Sequence, residues 1–425
     1  MPEPTVESKV SATGRAVSLR DRTFSSFKNR SYRIYYGGML GQMAAMSMQQ
    51  IVGSLLIYNL TNSSIILGAM SFANAVPMIL CSLFGGVIAD RVEKKYVMLA
   101  GQAAFALVSI GVAIALTTGY LSAAHPGSWH ILVVSSALQG CVMGLMMPSR
   151  QAIIPQIVSE DQLMNAISLN TMGMNTLSLF APALAGFMVQ FIDYQAVYFV
   201  MSAMYLSSVV FFALLPKTGT TVSRGISAIA GIKEGLNYVR RDRVILYVLL
   251  LSFIIVLFSM PYNSMLPVFV DAQHLNVGPE GMGVLMSVSG VGALISSFFL
   301  TTLPNKKRGI ILVISGLALG LTLFAFSFST LWALSLVLIG LVGVAQAVRM
   351  TLSNTLLQEY VEDKYVGRVM SLFLMQFGFT SFSAFAAGIL TQAIGVQWAI
   401  GGFAAALAVI SVLVLLTVPR MRKLD

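Results

Sequence analysis

Two arginines, Arg150 and Arg349, stand inside long apolar runs, and they are the only bases that do. A charged side chain at the centre of a bilayer costs roughly 2.5–3.5 kcal/mol on insertion scales and as a rule faces a cavity rather than lipid. Arg349 precedes the end of its run at Leu357 by about 12 Å, at about 1.5 Å per helical residue. At that depth it is a candidate to attract an anionic or strongly accepting ligand. Arg150, closer to an end, is expected to snorkel toward the interface. A second pattern lies near the start, where Met39, Gln42, Met46, Gln49 and Gly53 recur at three- and four-residue spacing and so share one helical face. Gln offers donors and an acceptor without charge, and Met offers a pliable apolar surface suited to varied ligands. No Asp or Glu lies deep in a run. Asp193 and Asp271 sit at run ends, and Asp271 is the acid best placed for coupling to protons. Covalent chemistry is poorly provided for. His125, His130 and His274 fall in connections without a metal-ligand spacing, and Cys81 and Cys141 are isolated within runs. There is no P-loop, so no nucleotide, cofactor or metal is expected.

The elements that must position these residues are membrane spans. Of the 425 residues 57% are hydrophobic and 10% charged, with mean hydropathy +0.82. A soluble protein of this length could not cover so much apolar surface. Twelve runs of spanning length occur, near 35–59, 65–89, 96–121, 131–154, 163–192, 196–215, 244–270, 282–303, 309–328, 331–357, 366–394 and 398–418. A turn at Ser327 to Thr330 separates the ninth from the tenth. Ten-residue alternation is absent, which predicts an all-α polytopic membrane protein rather than a barrel. The net charge of +10 is a topology signal and not a nucleic-acid footprint. Lys and Arg cluster before the first span and after the even-numbered ones, while the connections after the odd-numbered spans hold none. The positive-inside rule then places both termini in the cytosol of a multi-pass cell (inner) membrane protein.

The expected organisation is a cytosolic tail over 1–33 with no signal peptide, a six-helix bundle over 34–216, a linker over 217–243, a second six-helix bundle over 244–418 and a tail over 419–425. In the linker, Ile226, Ile229, Ile232, Leu236 and Val239 recur at helical spacing and predict an amphipathic surface helix. The halves echo each other at a fixed offset. Glu160 and Asp161 fall on Glu362 and Asp363, and Ala185 and Gly186 fall on Ala387 and Gly388. Paired six-helix halves are a rocker-switch arrangement with a site near the midplane.

The stretch Gly86-x-x-x-Asp90-Arg91-x-x-Lys94-Lys95 closely resembles the signature loop between helices 2 and 3 of the major facilitator superfamily, with Glu93 where that family has Gly and Lys94 where it has Arg. The second half retains only Asn305-Lys306-Lys307-Arg308. A second match, Ala181-Pro182-Ala183-Leu184-Ala185-Gly186, resembles the helix 5 motif of major facilitator exporters, with Ala for two glycines. The stretches 159–170 and 27–36 are similar to the branch that holds the enterobactin exporter and macrolide efflux proteins. The resemblance implies the two-bundle major facilitator fold and a cavity lined by helices 1, 4, 7 and 10. That places Gln42, Met46, Gln49, Gln139, Met143, Tyr262, Asn263, Gln346 and Arg349 in the substrate site. It also implies a cytosolic gate of Gly86, Asp90, Arg91, Lys94, Lys95, Arg150, Glu160, Asp161, Glu362, Asp363 and Arg368, in which Asp90 faces Arg368 and Lys94 or Lys95 approaches Glu160 or Asp161. The implied function is export of a small amphiphilic solute by a monomer, through proton-coupled antiport. A lipid or lysolipid flippase of the same fold is the alternative, and a polytopic membrane enzyme is a further one.

Overall fold

Within lipid, each backbone N–H and C=O needs a partner from the chain itself, and a helix supplies them inside one segment. The computed structural model describes residues 25–217, 228–271, 274–302 and 307–419, with Met421 and Leu424, and these are helical without a strand among them. A short 3-10 turn, Ser25–Lys28, leads into α1 (Arg30–Thr61). There follow α2 (Ser64–Arg91), α3 (Lys94–Thr117), α4 (His130–Ile157), α5 (Glu160–Phe191) and α6 (Tyr194–Ala213). The connecting helix is α7 (Ala228–Arg241). Beyond it come α8 (Arg243–Ser259), α9 (Pro261–Val270), α10 (Gly278–Thr302), α11 (Arg308–Ser327), α12 (Trp332–Tyr360), α13 (Asp363–Leu374), α14 (Gln376–Ile394) and α15 (Val396–Thr417).

Local chemistry sets these boundaries. The Asn29 side chain accepts from the N–H groups of Ser31 and Tyr32 and opens α1, and Asp242 does the same for Val244 and Ile245 at α8. Asn62, at φ 46°, closes α1 in the left-handed region that Asn tolerates. Proline 261 begins a new helix, so the seventh span is two pieces, α8 and α9. The eleventh is likewise divided at Met375 into α13 and α14. Among the described residues, eleven stretches are long and apolar enough to cross a membrane, with α8–α9 and α13–α14 each counting once. α1 completes twelve. Its 32 residues are long enough, but Gln42, Gln49, Gln50, Arg30 and Arg33 dilute its hydropathy.

Helices α1–α6 pack on one another, as do α8–α15. The tightest pairs are α2 with α4 and α10 with α12, and glycine permits both. A Cβ at Gly140 would fall on the Asn74 carbonyl, and one at Gly343 on the Ser289 carbonyl. Two seams join the groups: α2 against α14, and α5 against α10. Both seams are tightest at the end that carries Asn62, Asp193, Asp271 and Gly395, called the far end below. There the Ser64 hydroxyl donates to the Gly388 carbonyl at 2.9 Å, and Gly186 lies against Pro279. At the opposite, basic end, which carries Arg91, Lys95, Arg308 and Arg368, Cβ atoms built at Gly86 and Gly367 would meet nothing within 4 Å.

Candidate functional site: a charge-free cavity between two helix groups

Between the two seams lies a cavity of about 380 Å³. α1 contributes Met46, Gln49, Gln50 and Ser54. α2 contributes Leu67, Met70, Ser71, Asn74 and Met78, and α4 contributes Ser136, Gln139 and Met143. The second group adds Asn263 and Ser264 from α9, Met282 and Met286 from α10, and Thr380, Ser381 and Ala384 from α14. Phe105 and Tyr205, stacked with ring centroids 5.3 Å apart, close one side. Among the described residues no Asp, Glu, Lys, Arg or His is on this wall.

Of the nine residues expected in the substrate site, the structure brings Met46, Gln49, Gln139, Met143 and Asn263 together on the wall. Gln42, Tyr262, Gln346 and Arg349 stand outside it. Gln42 is fully buried in α1, its amide against the Met46 sulfur at 3.8 Å. Tyr262 is buried at the head of α9. The expectation for Arg349 needs correcting. The residue is 2% exposed, and its guanidinium donates to the side-chain amide oxygens of Gln346 and Gln376, each at 3.1 Å. Two side-chain amides, one on α12 itself and one on α14, thus solvate the charge, and Arg349 is not among the residues on the cavity wall. Arg150 is half-buried, with its guanidinium near the thioethers of Met174 (3.4 Å) and Met43 (3.6 Å) rather than extended to an interface.

Residues outside the expected set make up much of the wall, chiefly Ser71 and Asn74 on α2 and Thr380 and Ser381 on α14. The sequence carried a signal for them: a polar pair one turn apart in an otherwise apolar span, and a Thr-Ser pair in another. α2 and α14 contribute because the far-end seam draws them together directly over the cavity.

The expected gate residues are spread along the basic end. The side chains of Asp90 and Asp363 lie outside the described residues. Arg91, Glu160, Asp161 and Glu362 are exposed, Lys94 is buried, and Lys95 donates to the carbonyls of Ala213 and Leu215 rather than to Glu160 or Asp161. Arg368 is paired with Glu234 of α7. The Tyr238 ring stacks on Tyr365 at 4.2 Å, and the Tyr238 hydroxyl accepts from the Glu362 N–H at 3.2 Å. The connecting helix is therefore clamped to α13. The helix 5 motif lies on the α5–α10 seam, where Ala181, Pro182, Ala185 and Gly186 are all buried and a Cβ at Gly283 would meet the Pro182 carbonyl at 2.7 Å. Asp271 caps α9 at the far end, where its carbonyl accepts from the N–H groups of His274 and Asn276, both at 3.1 Å. Nearby Glu280, in the first turn of α10, has a buried carboxylate oxygen without a partner. Among the described residues, no cluster of His, Cys, Asp or Glu could hold a metal.

The comparisons agree with this architecture. The staphyloferrin A transporter of Staphylococcus aureus is 21% identical over 87% of this chain and 90% of its own length. Macrolide efflux protein A of Streptococcus pyogenes is 22% identical over 82% and 86%. The crystal structure of a peptide transporter POT in complex with sulfate superposes with a TM-score of 0.70 at 15% identity, covering 93% of this chain and 96% of that one. The family described as transmembrane secretion effector (MFS_3) matches residues 22–425. The chain thus belongs to that family of the major facilitator superfamily and is a multi-pass membrane transporter, not an enzyme.

Proposed function

We propose that the protein exports a small amphiphilic organic solute from the cytosol by alternating access, its two helix groups (34–216 and 244–418) rocking about the central cavity. The observation that carries the reading is the asymmetry of the seams. The cavity is roofed at the far end by direct backbone contacts and lies beneath unengaged glycines at the basic end. With the basic end in the cytosol of the cell membrane, by the positive-inside rule, this is the state that loads cargo from inside. In the alternate state the far ends part and the basic ends close. Arg368 then exchanges Glu234 for Asp90, and Lys95 turns to Glu160 or Asp161. A macrolide efflux protein and a siderophore transporter among the relatives support an organic cargo leaving the cell.

Proton antiport is the drive we assign. Among the described residues the wall provides no carboxylate, so coupling falls to the far-end acids, Asp271 and Glu280, of which Glu280 packs against Gly186 on the α5–α10 seam in this state. Efflux from cells or liposomes loaded with a fluorescent amphiphile tests the proposal. Expression should accelerate loss of the dye under an inward proton gradient, and equal rates with and without the protein refute it. A lipid or lysolipid cargo is the second reading. Phe84 on α2 and Phe379 and Phe382 on α14 are exposed, and the Phe382 ring meets Phe72 of α2 edge-on at 5.1 Å, so a labelled lysolipid belongs in the same assay.

A further inference from the structure

Arg150 and Arg349 are the two bases within the spans, and the protein answers only one of them. By the offset that sets Glu160 on Glu362, Met174 falls on Gln376. Arg349 thus has an amide oxygen where Arg150 has a thioether. We infer that Arg150, Tyr35 and Asn170 form an oxyanion subsite on the basic-end approach to the cavity, which takes the carboxylate, sulfonate or phosphate of an acidic amphiphile whose apolar body lies in the cavity. The inference rests on the transport reading and gives its cargo a chemical class.

The first observation is a surplus of donors. The Arg150 guanidinium lies 3.4 Å from the Met174 sulfur and 3.6 Å from that of Met43, and among the described residues no Asp or Glu pairs with it. The Asn170 amide nitrogen lies 3.7 Å from the same Met174 sulfur. Tyr35 is fully buried, and its hydroxyl stands beside the guanidinium with no acceptor for its hydrogen. Three strong donors thus gather around thioethers, which are weak acceptors on side chains flexible enough to swing aside. A buried cation is costly until a counter-charge reaches it, and a planar guanidinium receives an oxyanion through two parallel N–H bonds.

The second observation is position. Met143 on α4 and Gln50 on α1 belong to the cavity wall. Arg150 follows Met143 by two helical turns and Met43 precedes Gln50 by two, so each lies on the same helix face as its wall residue, about 10 Å nearer the basic end. Arg150 and Asn170 both remain partly exposed there. An amphiphile entering from the basic end reaches the guanidinium with its head while its body extends to the wall. The acids at the head of α5 do not supply the missing charge. Glu160 and Asp161 are exposed, and they belong to the same helix group as Arg150 and travel with it when the groups rock.

The test uses full-length protein in phosphatidylcholine liposomes and pairs of probes on several aromatic bodies small enough for the cavity, each pair a sulfonate, which stays charged across the pH gradient, and the matching sulfonamide. Below saturation, the protein-dependent rate should favour the sulfonate by about tenfold, the scale of one hydrogen bond to a charged group. Arg150→Met should abolish the preference, and Tyr35→Phe, which deletes a single oxygen, should cut the sulfonate-to-sulfonamide ratio several-fold. A wild-type ratio at or below one, or a ratio that neither substitution changes, overturns the inference while leaving transport intact. Protein-dependent movement of neither probe on any body overturns the transport reading itself. Thermal unfolding in detergent separates the sources of the anion. The sulfonate should raise the wild-type midpoint more than equal concentrations of sulfate or a short-chain phosphatidylglycerol, and Arg150→Met should lose that increment. An equal or larger rise with sulfate or phosphatidylglycerol gives the site to a free anion or a lipid headgroup and overturns the assignment to cargo.

Discussion

The far-end seam allows a direct test of the rocking motion through Gly68→Val. In the present state a Cβ at position 68 would stand 2.8 Å from the Ala384 carbonyl oxygen and 3.0 Å from the Phe385 Cα, both backbone atoms that cannot swing aside. Valine adds two methyl groups to that contact. Overpacking of this kind costs about 1–3 kcal/mol. If the far ends of α2 and α14 separate in the alternate state, the cost falls on one state alone and shifts their ratio by about 5–150-fold. Gly140→Val is the matched control. Its Cβ would land on the Asn74 carbonyl, inside the α2–α4 contact that rocking does not open. That variant should lose thermal stability without changing sidedness. The reporter is Gln139→Cys on the cavity wall, in a background with Cys81→Ser and Cys141→Ser, labelled from either face with a membrane-impermeant maleimide. Gly68→Val should raise labelling from the far side by roughly an order of magnitude and lower it from the basic side, as that population shift requires. A folded Gly68→Val protein with the parent's labelling pattern would mean that the seam does not open, and the alternating-access reading would fall with it.

Three further outcomes follow from local geometry, each measured by thermal unfolding in detergent. Arg349→Met removes a buried charge along with its demand for acceptors and should leave stability near the parent's or raise it, whereas Gln376→Leu strips an acceptor from the guanidinium and should cost about 1–3 kcal/mol; the reverse order would show that the arginine is not solvated by its amides. Glu234→Ala breaks a partly exposed ion pair and should cost at most about 1 kcal/mol, while Tyr238→Ala also loses the stack on Tyr365 and should cost more; equal melting points for the two would remove the ring stack from the clamp. At Asn62, with φ 46°, glycine should be neutral and valine should destabilise by about 1–2 kcal/mol.

Much of the fold was legible because the bilayer imposes a length on each span and the positive-inside bias imposes an order. The turn expected at Ser327 to Thr330 is there, with α11 ending at Ser327 and α12 starting at Trp332. The breaks within the seventh and eleventh spans leave no distinct mark in the sequence. Pro261 is an N-terminal helix residue as readily as an interior kink, and Met375 carries no breaking chemistry of its own. The candidate site was legible in part. Helical spacing set Met46 and Gln49 on one face but did not distinguish Gln42, which points into the first helix group instead. Asn74 and Thr380 belong to the wall because α2 and α14 converge over it, a pairing across 306 positions that no local pattern encodes. Its depth in an apolar run makes Arg349 too costly to face lipid, and the expectation that follows is a cavity-facing charge. The sequence did not say that Gln376, on another helix, would answer that cost inside the protein.

The thioethers that soften the cavity also leave it open to oxidants. Met46, Met70, Met78, Met143, Met282 and Met286 all border the same space, and each sulfoxide formed there turns a flexible apolar surface into a rigid, strongly polar and chiral one. Peroxide would in that way change which molecules leave the cell without touching the helices that move them, and enzymatic sulfoxide reduction would restore the original preference.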